Sequence, residues 1–381
     1  MKNKELAVQS ILAMTEDRAK RCQVPGHSPS LHVPYRTLCG LLVLLIVSAG
    51  CGGGGGGSLT GPGAGPSIYL TQDIPILVPT EASNILQFSA TANGAVSPTA
   101  TLTGPANVVF SGLAVDGAGD AYVGGEGLGT GGGSGGPPLV SVEILVYAPG
   151  ARGSNPTRTI TSSSLQINQG GISALTLDSF GNLYVSGVLA APNLGSGVAV
   201  FSPTASGDAV PIRIISGSAT TIVGLGAVPI AVDSADNIYI STADLGEPDS
   251  ILIFNSSASG NVPPTSTIGG PATTINAIQG LALDSAGNIY VSNVPSDSPN
   301  EDILVFSAGS TGNVAPIRTI SGSATTMSSI GDLALDSAGN IYVLNDLDLL
   351  KFASNATGNA APIATITTPP GLAFINSIAV H

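Results

Sequence analysis

One short pattern recurs along the chain and restricts its fold more than any other feature. GLALDSAGNIYVSN at 280–293 returns as DLALDSAGNIYVLN at 332–345, PIAVDSADNIYIST at 229–242, ALTLDSFGNLYVSG at 174–187 and GLAVDGAGDAYVGG at 112–125. Each copy is an apolar run, an Asp, a turn of Gly, Ser and Asn, and a second apolar run around a Tyr. That is the pattern of a β-hairpin. An Asp opening a tight turn accepts hydrogen bonds from the amides that follow it, and Gly or Asn takes the left-handed position. Asp116, Asp178, Asp233, Asp284 and Asp336 are therefore expected to make turns rather than to form a ring of metal ligands.

Two further apolar runs follow every hairpin. With LALD as strand a and NIYV as strand b, strand c ends in an aromatic: LQF at 86–88, ILVY at 144–147, VAVF at 198–201, ILIF at 251–254, ILVF at 303–306 and LLKF at 349–352. Strand d is TATL at 100–103, TRTI at 157–160, IRII at 212–215, TSTI at 265–268, IRTI at 317–320 and IATI at 363–366. Pro stands at or just before strand d, where its missing N–H does least harm.

The strand-b tyrosines, Tyr69, Tyr122, Tyr184, Tyr239, Tyr290 and Tyr342, are spaced by 53, 62, 55, 51 and 52 residues. Tyr69 has no strand a before it. SIAVH at 377–381 has the pattern of a strand a, with His381 in place of the Asp, and nothing follows it. The two ends are complementary halves of one unit. The expected fold is all-β: a six-bladed β-propeller of four-stranded antiparallel blades, the last closed by the C-terminal strand together with the N-terminal strands. One chain completes its own ring, so a monomer is expected.

Composition agrees. Only 9% of residues are charged and 51 are Gly, as suits an all-β chain with many turns. From Cys51 onward there are 5 basic and 21 acidic residues, a balance of −16. This argues against nucleic acid, which requires clustered Lys and Arg.

Residues 1–50 read as an export segment. Basic residues precede the apolar run LLVLLIVSAG at 41–50, which is too short to span a bilayer as a helix, since that takes about 20 residues. Ser48-Ala49-Gly50-Cys51 resembles the lipobox of bacterial lipoproteins, which implies lipidation of Cys51 and an extracytoplasmic, membrane-anchored protein. Gly52 after that Cys leans towards outer-membrane delivery, by analogy with other lipoproteins. Cys22 and Cys39 lie in the segment that would be removed, so the mature chain would carry no intrachain disulfide. Residues 51–66 form a Gly-rich tether that starts at Cys51, and 67–381 form the propeller.

The candidate chemistry lies in the loops. Twelve of the 21 acids after Cys51 fall in or beside b–c connections. Strand directions alternate, so these loops emerge together with the d–a loops at one end of the ring. Asp244, Asp249, Asp297, Asp302 and Asp346, with the amide oxygens of Asn293 and Asn345, could offer oxygen ligands to Ca²⁺. The alternative is that sparse charges gather on long loops and keep the ring soluble. GLGTGG at 127–132 is a formal GxGxxG match with no helix pattern after it, and reads as a loop. His381 is the one histidine after Cys51, so a His-based triad or zinc site is hard to build. The inner strands a read as almost wholly apolar. Arg158, Arg213 and Arg318 share one position in the outermost strand, where Arg would guard an edge against aggregation.

ALDSAGNIYV, at 282–291 and 334–343, followed by an aromatic-ending strand resembles the NHL-repeat β-propellers and, more loosely, the gluconolactonase-like six-bladed propellers, over about 315 residues. That resemblance implies the propeller fold. For function it implies either a non-catalytic binding or scaffold module for a protein or cell-envelope ligand, or a Ca²⁺-type hydrolase or lactonase. The related lyase propellers use histidine, which this chain lacks at the corresponding places.

Overall fold

The computed structural model describes residues 66–72, 82–128, 139–151, 153–163, 165, 171–189, 195–223, 228–242, 248–296, 298, 300–368 and 375–381. These residues form six blades in a propeller ring. In order a to d, blade 2 is Val108–Val115, Ala121–Leu128, Leu139–Tyr147 and Arg158–Thr161. Blade 3 is Ile172–Leu177, Leu183–Leu189, Gly195–Phe201 and Arg213–Ser216. Blade 4 is Ile230–Val232, Ile238–Ser241, Ile251–Phe254 and Ser266–Ile268. Blade 5 is Ala277–Leu283, Ile289–Val294, Asp302–Phe306 and Arg318–Ser321. Blade 6 is Ile330–Leu335, Ile341–Asn345, Asp348–Phe352 and Ala364–Thr367.

Blade 1 is assembled from both ends of the chain. Its strand a is Ile375–Val380, and its strands b, c and d are Ser67–Gln72, Asn84–Ser89 and Ala100–Thr103. Ile68 pairs antiparallel with Val380, and the backbones of Ser67 and His381 exchange hydrogen bonds of 2.8 and 2.9 Å. The strands a of successive blades neighbour one another all the way round, with blade 6 beside blade 1.

The core is six cores. Each apolar cluster lies between two adjacent blades and draws on both, from blades 1 and 2 round to blades 6 and 1. The aromatic that ends each strand c (Phe88, Tyr147, Phe201, Phe254, Phe306, Phe352) is fully buried in one of these seams. A blade therefore buries its faces only against its neighbours, and removing one would expose two seams.

The a–b turns repeat one arrangement. In all five, Asp Oδ1 accepts the amides two and four residues on at 2.8–3.0 Å. Asp Oδ2 takes the hydroxyl of the strand-b Tyr at 3.2–3.3 Å. The left-handed residue is Gly119, Gly181, Gly287 or Gly339, and in blade 4 it is Asp236 at φ 61°. Burial alone would raise the pKa of Asp284. The hydrogen bonds from Asn288, Ala286 and Tyr290 outweigh it, and the carboxyl lies below its ordinary value.

The strand-d arginines do more than guard an edge. Arg318 donates to Ser354 O at 2.5 Å and Ala356 O at 3.1 Å in the next blade, and to its own blade's Tyr290 hydroxyl at 3.0 Å. Its guanidinium lies 5.6 Å from the Tyr290 ring centroid. Arg158 and Arg213 repeat these ties. In blade 6 the cation comes from strand c instead: Lys351 sits 4.7 Å from the Tyr342 ring centroid, donates to Ala90 O at 3.2 Å and pairs with Asp336 at 3.6 Å. The strand-d edge is covered separately. The c–d connection of the following blade bridges it in parallel, as at Ile215↔Gly260, Ile268↔Gly312 and Ile320↔Gly358.

Candidate functional site at the loop end of the ring

The b–c and d–a connections share the end of the ring opposite the Asp turns, and the polar side chains gather there. The feature that organises them is a bulge. Strand a slips register near its start in five blades: between Ser111 and Leu113, Ile172 and Ala174, Ile278 and Gly280, Ile330 and Leu333, and Ile375 and Ser377. A bulge breaks the ladder and re-aims a side chain. The half-buried residues at these slips are Ser111, Ser173, Gln279, Asp332 and Asn376. Blade 4 has no slip, and the buried Val228 takes the place. The inner strands thus carry a polar rim that reading strand a as LALD alone misses. The signal was present as a polar residue four or five positions before the Asp of blades 2, 3, 5 and 6.

Carboxylates from the neighbouring blade meet the backbone beside these bulges. Glu126 Oε1 accepts the Ile172 amide at 3.1 Å, Asp249 Oδ2 the Ile278 amide at 2.8 Å and Glu301 Oε2 the Ile330 amide at 2.5 Å. Asp332 Oδ2 accepts the Ile378 amide at 3.3 Å, and Ser83 Oγ the Phe110 amide at 3.2 Å. Each contact crosses from one blade to the next. An amide displaced from its ladder by a bulge needs another acceptor, and the adjacent blade supplies it. Gly171 makes room at one such place: its φ is +60°, and a Cβ there would lie 1.9 Å from Glu126 Oε1.

The residues expected to bind Ca²⁺ are distributed along this end. Asn293 is buried; its Oδ1 accepts the Asn276 amide at 2.7 Å, and its Nδ2 donates to Asp302 Oδ1 at 2.9 Å and Thr274 O at 3.3 Å. Asn345 Oδ1 accepts the amides of Ser328 at 2.8 Å and Ser329 at 3.3 Å. Both asparagines thus hold the d–a connection that enters their own blade. Asp346 is exposed at φ 57°, and its amide donates to Ser329 O at 2.9 Å. The structure brings Asn293 and Asp302 together, but among the described residues no three Asp, Glu, His or Cys side chains gather as a metal would need. Asp244, Asp297, Cys51 and residues 129–138 of the Gly-rich loop lie outside the described residues.

Two carboxyls at this end are perturbed into the physiological range. Burial pushes Glu126 up to about 7, against the bonds from Ile172 and Ser111 that favour its charge. Burial likewise pushes Asp302 up to about 6, opposed by Asn293 and helped by the charge of Glu301. A carboxyl near 7 can exchange a proton at neutral pH. The hydroxyl beside Glu126 is Ser111, 3.4 Å away, and His381 sits at the other end of the ring, paired to Ser67.

No family model matches this sequence, and no curated protein matches it. Solved structures do resemble it in fold. A protein of unknown function from Bacteroides caccae aligns with a TM-score of 0.55 at 10% identity, covering 83% of this chain and 99% of that one. A Lactobacillus plantarum protein aligns at 0.47 and 12% identity over 83% and 99%, and the WD40 domain of Toxoplasma gondii coronin at 0.45 and 8% over 81% and 78%. At 10% identity the likeness to the Bacteroides caccae protein concerns the fold alone. With its ring of six four-stranded blades, one of them built from both ends of the chain, the protein is a six-bladed β-propeller.

Proposed function

We propose that this protein is a non-catalytic binding module of NHL-like type. In this reading a lipid on Cys51 holds it to the outer face of a bacterial membrane, and the loop end of the ring receives a protein or cell-envelope ligand. One observation carries the reading. The carboxylates nearest the inner strands are engaged with backbone amides of the next blade, and the rim beside them is built of small neutral hydrogen-bonding side chains, Ser111, Ser173, Gln279 and Asn376. Such a rim suits recognition of a neutral polar surface by a rigid scaffold. The test uses the full chain displayed in its own envelope. Photo-crosslinking from position 279 should give a discrete adduct with an envelope component, and Ser173→Arg together with Gln279→Arg should abolish it. An adduct of equal yield in the double variant would refute the rim as the binding surface.

A second reading is a Ca²⁺-type hydrolase or lactonase, and the near-neutral carboxyl of Glu126 favours it. Lactone hydrolysis that requires Ca²⁺ and is lost in Glu126→Gln would establish that reading over the first.

A further inference from the structure

The molecule has two unlike ends, and the chain enters at a defined one. In blades 2 to 6 strand b starts from the a–b turn, and in blade 1 strand b runs antiparallel to strand a in the same way, so Ser67, the first residue of its strand, lies at the turn end. Its neighbours agree with that level: Ser67 pairs with Ser89 and with His381, and Ala90 donates to Pro66 O at 2.9 Å. The 15 residues 52–66, nine of them Gly, lead back from this point to Cys51 and the apolar run at 41–50. A Gly-rich linker of that length spans only about 20 Å on average.

The same end carries large apolar side chains that the fold leaves in water. Among the described residues the exposed ones at this end are Phe180 (73%), Val210 (86%), Ile212 (54%), Ile317 (62%) and Ile363 (55%), while Val223 (41%) lies on a d–a connection at the other end. Phe180 is in the a–b turn of blade 3. Ile212, Ile317 and Ile363 each stand one residue before strand d, where their amides donate to Val200 O, Val305 O and Lys351 O at the base of strand c. Strand formation does not demand an aliphatic there: Thr99, Thr157 and Thr265 make the same bond in blades 1, 2 and 4. Ile in place of Thr in three blades leaves apolar surface on the tether side of the ring that no described residue covers. Among the described residues this end carries eight Asp (the five turn Asp with Asp120, Asp208 and Asp236) against Arg158, Arg213, Arg318 and Lys351, so an anionic surface would be repelled.

We infer that the turn end of the propeller rests on a membrane surface of zwitterionic lipid, with Phe180, Ile212, Ile317 and Ile363 in contact with the headgroup region. The inference rests on the membrane-anchored reading above and adds an orientation to it: the loop end faces away from the bilayer, open to a ligand. A short tether raises the effective concentration of the body at the surface, so a few apolar side chains suffice for a contact too weak to bind free protein.

The chain has no Trp, so each introduced indole reports alone. Full-length Phe180→Trp, Ile212→Trp and Ser298→Trp, the last on an exposed b–c loop at the other end, are reconstituted in phosphatidylcholine vesicles with and without brominated acyl chains. The indole at position 180 and the one at position 212 should shift to the blue on reconstitution and be quenched by the brominated lipid. The indole at position 298 should do neither. Equal behaviour at all three positions, or quenching at position 298 alone, overturns the inference. Acylation and membrane retention are measured in parallel on wild type and Cys51→Ser. A chain that is acylated and retained yet unquenched at positions 180 and 212 defeats the orientation and leaves the anchor standing. A chain that is neither acylated nor retained defeats both.

Discussion

Substituting Glu126 by Gln tests the electrostatics of the loop end directly. Glu126 is half-buried between blades 2 and 3, accepts the Ile172 amide, and has its carboxyl pushed from 4.5 up to about 7 by burial. A raised carboxyl pKa means that the folded state holds the proton more tightly than the unfolded state. The folded wild type therefore loses stability as pH rises from about 4.5, and the loss is complete above about 7. The gap of about 2.5 units, at about 1.4 kcal/mol per unit, sets an upper limit near 3 kcal/mol, which solvent at a half-buried site reduces to between about 1 and 3. Gln keeps the oxygen that accepts the Ile172 amide and cannot ionise. The difference in stability between Glu126→Gln and wild type should be near zero at pH 4.5 and should grow in the variant's favour to pH 8. Urea unfolding followed by far-ultraviolet circular dichroism at a series of pH values measures that difference, and other titrating groups cancel from it. A difference that does not depend on pH, or a variant less stable than wild type at pH 8, would refute the argument.

Other perturbations follow the same geometry. Arg318→Ala removes the tie from Tyr290 to the carbonyls of blade 6 and should cost about 1–3 kcal/mol in chemical unfolding, with Arg318→Lys recovering only part because one ammonium cannot span the same partners. Gly280→Ala places a Cβ 2.6 Å from the Leu333 amide nitrogen, where the inner strands of blades 5 and 6 meet backbone to backbone, and should lower the melting temperature more than an alanine at the exposed Gly117 would. Ending the chain at residue 374 removes strand a of blade 1 and opens the seams on either side of it. The truncated ring should aggregate or be cut rapidly by protease, and a monomer as resistant as wild type would contradict closure by this strand.

Much of the fold was legible because it repeats. A hairpin with a turn-making Asp is a local object. Its Oδ1 bonds reach only two and four residues, and its Tyr lies six away, so pattern and geometry coincide. Counting those hairpins yields the number of blades, and the half units at the two ends give the closure. Strand c could be read from its terminal aromatic, since a side chain of that size in a chain with few charges must be buried somewhere.

The loop end resisted the same treatment because its partners are far apart in the chain. Glu126 reads as one more loop acid until blade 3 brings the Ile172 amide to it across 46 residues, and Glu301 meets Ile330 in the same way. The polar rim is hidden because a bulge changes the register near the start of strand a, where the sequence shows only a Gly, Ser, Gln or Asp ahead of an apolar run. Arg318 looked like an edge guard because its carbonyl partners belong to the next blade. By itself, then, the sequence determined the strands, their order and the number of blades, since hydrophobic period and turn chemistry act within a few residues. Only the tertiary structure decided which carboxylate caps which amide and which end of the ring shows apolar side chains to water, because those depend on how one blade is set against the next.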